Sequence, residues 1–103
     1  MRTYARAGQT VAVRVERIDL NRRVAVLRVN ESIESFPRAL RGALAAMVSD
    51  SGWHVVVAFQ HGVPSRPDVT DVIEQARKWA ADTGCRLSVT TVGAVEDVLT
   101  EDR

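Results

Sequence analysis

One cysteine, Cys85, is the entire thiol content of this 103-residue chain. That excludes an internal disulfide framework and any multi-cysteine metal cage. The two histidines, His54 and His61, have neither a carboxylate nor a second thiol at ligand spacing, so no metal and no cofactor are expected. Aromatic residues make up 5% of the chain and do not interleave with its arginines, which argues against a base-stacking nucleic-acid surface. No apolar run approaches the roughly 20 residues that span a bilayer. The start Met1-Arg2-Thr3-Tyr4-Ala5-Arg6 has no apolar signal core behind its charges, and a cytoplasmic location is expected. A phosphate-cradling glycine loop, a zinc spacing and a serine elbow are also missing.

A large net charge is missing too, since the formal value is +1, but the balance is uneven. Residues 1–41 carry nine arginines against four acids, and residues 42–103 carry five bases against nine acids. The amino-terminal excess suits either an acidic partner or a solvated hairpin bearing Arg14, Arg17, Arg22, Arg23 and Arg28, and the second explanation is preferred. With 46% hydrophobic and 26% charged residues, the whole of 1–103 is expected to form one globular domain.

Hydrophobic periodicity supplies the elements. Val11, Val13 and Val15 alternate with Ala12, Arg14 and Glu16; the turn Asp19–Arg23 follows, and then a strand over Val24 to Val29. This predicts a β-hairpin with one buried face. Ser35 is placed to cap a helix whose inward residues Phe36, Leu40, Ala43, Leu44, Met47 and Val48 recur at spacings of three and four, with Gly52 as its stop. Trp53 to Phe59 reads as a strand covered on both faces, the pattern of a parallel sheet. His54, at its start, is expected at an edge or a cap. Beyond the loop 60–68, a helix from Val69 to Thr83 carries the stripe Val69, Val72, Ile73, Ala76, Trp79 and Ala80. Ser65-x-x-Asp68 has the form of a capping box, Pro67 suits a first turn, and Gly84 is a helix stop. A strand from Arg86 to Val92 and a short helix from Ala94 to Leu99 complete the order β-β-α-β-α-β-α. The expected fold is therefore α/β: a hairpin followed by alternating helices and strands, with a mostly parallel sheet and helices packed against it.

That order, with the hairpin Val11 to Val29, the passage Val29-Asn30-Glu31 toward Ser35, the strand Val55 to Phe59 and Thr83-Gly84-Cys85-Arg86-Leu87, resembles the anti-sigma factor antagonist family, the STAS domain. The resemblance covers about residues 10–99. Members of that family commonly carry Asp-Ser-Ser-Gly-Leu or Asp-Ser-Thr-Gly-Leu at the start of the second helix, the first of the paired hydroxyl residues being phosphorylated by a partner kinase. Counting back from Gly84 sets that position at Arg66, and counting forward from the strand sets it at Pro67. Neither accepts a phosphoryl group; the nearest displaced acceptors are Ser65 and Thr70.

The resemblance implies a non-catalytic regulator that binds an anti-sigma factor of the serine-kinase type or another STAS protein. Its contact surface is expected at Asn30, Glu31 and Ser32, at His61, Gly62, Ser65 and Arg66, and at Asp68 and Val69. A homodimer is a further candidate assembly. A second implied role is that of an accessory subunit of a transporter or a lipid-transport ATPase. An alternative of another class is a small enzyme using Cys85, His61 or His54; against it, each is isolated from a recognisable catalytic partner in the sequence. Cys85, after a helix stop, is expected to behave as a small hydrophobe, Trp79 to pack on the sheet, and Trp53 to be partly exposed.

Overall fold

A computed structural model describes residues 11–49 and 51–101, so the stretch Met1 to Arg6 lies outside the described residues. Four strands form one open mixed sheet in the order of the sequence: β1 (Val13–Asp19), β2 (Val24–Val29), β3 (His54–Phe59) and β4 (Arg86–Thr91). β1 runs antiparallel to β2, while β2–β3 and β3–β4 are parallel, so two of the three strand pairs match the parallel expectation.

Helices α1 (Phe36–Met47) and α2 (Pro67–Thr83) lie on one face of the sheet. There Leu27, Val29, Val55, Val57 and Phe59 pack with Phe36, Leu40, Leu44, Val69, Ala76 and Ala80. The opposite face is closed by α3 (Val95–Glu101), whose Val95 and Leu99 cover Val24, Val26, Val56 and Ala58. Burial on both faces explains the uninterrupted apolar character of β2 and β3. Trp79 is half-buried against the core, as is Cys85.

Several local expectations are corrected. The hairpin does not have one buried face: β2 is enclosed on both sides, whereas Val11 and Val15 are exposed at 57% and 48% and Ala12 is buried. β1 is an edge strand, as β4 is on the other side, and a bulge between Val15 and Arg17 breaks its alternation. Ser35 makes no side-chain cap; Phe36 N–H instead donates to the carbonyl of Ile33, and Pro37, which has no N–H, needs no acceptor in the first turn. α1 ends at Met47 with Val48 as its cap, and Gly52 (φ +86°) serves the turn into β3.

The second helix begins at Pro67, two residues before the expected start, and its N-cap is Arg66, so Ser65 and Asp68 form no capping box. Gly84 does end it, in the left-handed conformation (φ +78°) that a side chain resists. β4 stops at Thr91, and a 3-10 turn over Val92–Ala94 leads into α3, which runs to Glu101. No helix among the described residues is long and apolar enough to cross a membrane.

His54 is buried in the interior strand β3, at neither an edge nor a cap, with Nε2 2.7 Å from Ser88 Oγ on β4. Burial, and then the charges of Arg86 and Arg22, hold its pKa below 6.5. The unfolded chain therefore takes up a proton near pH 6.5 that the folded chain refuses, and stability present above that value is lost as pH falls. The urea midpoint is expected to drop between about pH 7 and about pH 5.5, and His54→Leu to flatten that slope. An equally steep slope in the variant would assign the acid sensitivity to other groups.

Candidate functional site

The carboxyl ends of β2 and β3 and the start of α2 converge, because parallel strands joined by a crossover helix bring their exits to one end of the sheet. Two clasps shape the surface there. In the first, Glu31, just beyond β2, turns its carboxylate onto the backbone after β3. Gln60 N–H donates to Oε1 at 3.0 Å and His61 N–H to Oε2 at 2.5 Å. Burial raises the carboxyl pKa, but backbone N–H groups of Glu31 itself, His61, Gly62 and Gln60 outweigh it and hold the value below 4.5. The clasp is thus closed at neutral pH.

Gly62 (φ +145°) permits the loop to wrap the carboxylate, since a side chain strains in that conformation. The exposed His61 ring lies outside the clasp, with Nδ1 3.7 Å from Glu31 Oε2. Asn30 holds its own turn: its Oδ1 accepts Ser32 N–H at 3.1 Å, and its backbone N–H donates to Ala12. Ser32 is exposed on that turn.

The second clasp centres on Arg66. Its Nε and Nη2 donate to the two oxygens of Asp68 at 3.1 and 2.6 Å, a fork that suits guanidinium and carboxylate geometry. The guanidinium carbon lies 5.4 Å from the centroid of the Phe36 ring, within cation–π range. Phe36 is itself buried and meets Phe59 edge-on at 6.3 Å. Arg66 is therefore held between a helix-start acid and an aromatic platform while about half of its side chain remains exposed. Asp68 Oδ1 also accepts Val69 N–H, which anchors the acid to the first turn.

Most of the surface expected from the sequence does assemble at this end: Asn30, Ser32, His61, Gly62, Ser65, Arg66 and Asp68 lie on neighbouring segments. Two residues play other parts. Glu31 points inward, with its side chain 12% exposed, and acts as a fastener. Val69 is buried as the first core residue of the α2 stripe, so its side chain presents nothing to a partner. Ser65 and Thr70 are exposed on either side of the helix start.

Sequence reasoning missed Val63, which is exposed at the loop tip, and the platform role of Phe36. An apolar residue inside a polar loop was the available signal for Val63; Phe36 gave none beyond its place in a core stripe. A shallow groove continues from Asp68 between α1 and α2, with Arg38 and Arg41 on one bank and Asp68 and Asp71 on the other.

The three residues of the enzyme alternative do not meet around one point. His54 and Cys85 lie before or at the amino ends of β3 and β4, while His61 follows the carboxyl end of β3, about 20 Å away along the strand. Thr83 Oγ1 lies 3.4 Å from the half-buried Cys85 sulfur and donates to Trp79 O at 2.9 Å. Among the described residues, no three His, Cys, Asp or Glu side chains gather as metal ligands. Comparisons with family models, with curated protein sequences and with solved structures found no match to this chain.

Proposed function

We propose that this chain is a non-catalytic protein-interaction domain of the STAS type, an anti-sigma factor antagonist in which a fixed cationic contact stands where the family has its phosphorylation switch. The observation that carries this reading is Arg66 at the N-cap of α2, forked onto Asp68 and laid over Phe36. A phosphorylatable serine at a helix start works by exchanging a neutral hydroxyl for roughly two negative charges beside free N–H groups. A guanidinium there supplies a permanent positive charge instead.

The surroundings support a preset surface. Pro64 and Pro67 restrict the loop, and the Glu31 carboxylate fastens it to the end of β2. A preset surface binds without the entropic cost of ordering a mobile loop. The partner in this reading is an anti-sigma factor of the serine-kinase type or another STAS protein, and the compartment is the cytoplasm. The partner patch meeting Arg66 is acidic in this reading, because the guanidinium edge that Asp68 leaves open, Nη1 with the remaining Nη2 hydrogen, still presents donors to a second carboxylate.

Calorimetric titration with a serine-kinase-type anti-sigma factor tests the reading. A saturable complex is expected without added nucleotide. Absence of heat and of co-elution up to about 100 μM, a concentration that captures even weak specific pairs, would refute it.

A further inference from the structure

We infer that the chain forms a two-fold dimer through antiparallel pairing of β1 with β1 of a second copy, with Val15 opposite the partner's Ile18. This inference is independent of the partner reading, because β1 lies at the edge of the sheet and its apolar residues are outside the surface around Arg66. Among the described residues, β1 pairs only with β2, leaving a free strand edge. An open edge carrying apolar side chains is a template for another strand. Val15, Ile18 and Leu20 are exposed at 48%, 52% and 74%, and Ile18 and Leu20 continue into a shallow groove lined by Met47 and Trp53.

The choice of a second copy as the occupant comes from the pattern of charge. With Val15 opposite the partner's Ile18, Glu16 faces the partner's Arg17, Arg14 faces its Asp19, and Val13 faces its Leu20. Apolar residues then meet apolar ones and each acid meets a base, twice over by symmetry.

The bulge makes this register fit. In an unbroken strand Val15 and Ile18 would point to opposite faces, but the irregularity between Val15 and Arg17 puts both on the α1 and α2 side, where they register with Leu27 and Ala25. Arg14, Arg17 and Asp19 register with Arg28, Val26 and Val24 on the α3 side, where Glu16 also reaches Arg28 at 3.1 Å. Cross-strand neighbours must share a face, and in this register they do. Sliding one copy by two residues either way sets Arg14 against Arg17 or Glu16 against Asp19, like charges that destabilise a pair, and also sets Val15 against Glu16 or Ile18 against Arg17, which lie on opposite faces.

Sedimentation equilibrium from about 10 μM to about 1 mM tests the inference. The average mass of the unaltered chain is expected to rise with concentration from one chain to two. Ile18→Lys and Val15→Glu should each stay at one chain throughout, with unchanged far-ultraviolet circular dichroism, because both positions are already about half exposed. An equimolar mixture of the two variants should regain the doubled mass, since the introduced lysine of one chain then meets the introduced carboxylate of the other while Val15 still meets Ile18. A single-chain mass for the unaltered protein at every concentration would overturn the inference and leave the edge to a different partner. So would dimers that tolerate Ile18→Lys, or folded variants whose mixture stays monomeric.

Discussion

Replacing Phe36 with alanine is expected to destabilise the fold by about 3–5 kcal/mol, the usual cost of emptying an aromatic site in a packed core. Phe36 is fully buried, opens α1 and meets the Phe59 ring edge-on, so its removal takes away both apolar burial and an oriented aromatic contact. Small domains have total stabilities of about 5–15 kcal/mol, which makes this a large share. The same ring supports Arg66 from below. Phe36→Ala should therefore also weaken partner binding, even under conditions where the variant is fully folded. Phe36→Leu keeps most of the volume and should recover most of the stability but not the aromatic face beneath the guanidinium. Urea unfolding monitored by circular dichroism measures the first effect; equal midpoints for Phe36→Ala and the parent would mean that the ring is not in the core.

Arg66→Glu is expected to lower affinity for the partner by about 30-fold or more while shifting stability by about 1 kcal/mol or less. An arginine at the centre of an interface commonly carries 2 kcal/mol or more of binding energy, and charge reversal adds repulsion against an acidic patch. Stability is spared because the Asp68 pair and the ring contact are both partly exposed, and such interactions are individually small. A carboxylate introduced at the helix start also gains from the helix dipole, which offsets part of its repulsion with Asp68. Calorimetry against the partner and thermal unfolding of the free chain separate the two effects. Unchanged affinity in a folded Arg66→Glu variant would remove Arg66 from the interface.

The parts of the fold legible in the sequence are those set by periodicity and by backbone limits. The apolar runs at Val24–Val29 and His54–Phe59 are interior strands, the spacing of Phe36, Leu40 and Leu44 marks the buried side of α1, and Gly84 stops α2 because that end requires a positive φ. Edge placement was not legible. Alternation along β1 shows which residues share a face, not whether a helix covers that face, and the bulge after Val15 interrupts even the alternation. Polar caps misled for two reasons: Ser35 does stand at the N-cap, but Pro37 at the second helical position removes one of the donors it could satisfy, and Ser65 lies one residue before the actual N-cap, Arg66.

At the candidate site the position was legible and the wiring was not. A strand exit followed by a helix start places the segment after Phe59 at the carboxyl end of the parallel strands, from sequence order alone. The inward turn of Glu31 depends on backbone groups some thirty residues away, and the perch of Arg66 on Phe36 joins segments equally distant in the chain. Such contacts follow from tertiary packing, which no local pattern encodes. The exposure of Val63 has the same origin, because only the closed loop decides which of its residues faces outward.

Intact-mass spectrometry after incubation with a serine-kinase-type anti-sigma factor and magnesium ATP tests most directly whether a fixed contact has replaced the switch. The predicted result is a chain that acquires no phosphoryl group while its complex with the partner persists through the incubation. Stoichiometric phosphate on Ser65 or Thr70, accompanied by loss of the complex, would contradict the account, because the exposed hydroxyls flanking Arg66 would then serve as the switch that the guanidinium is proposed to replace.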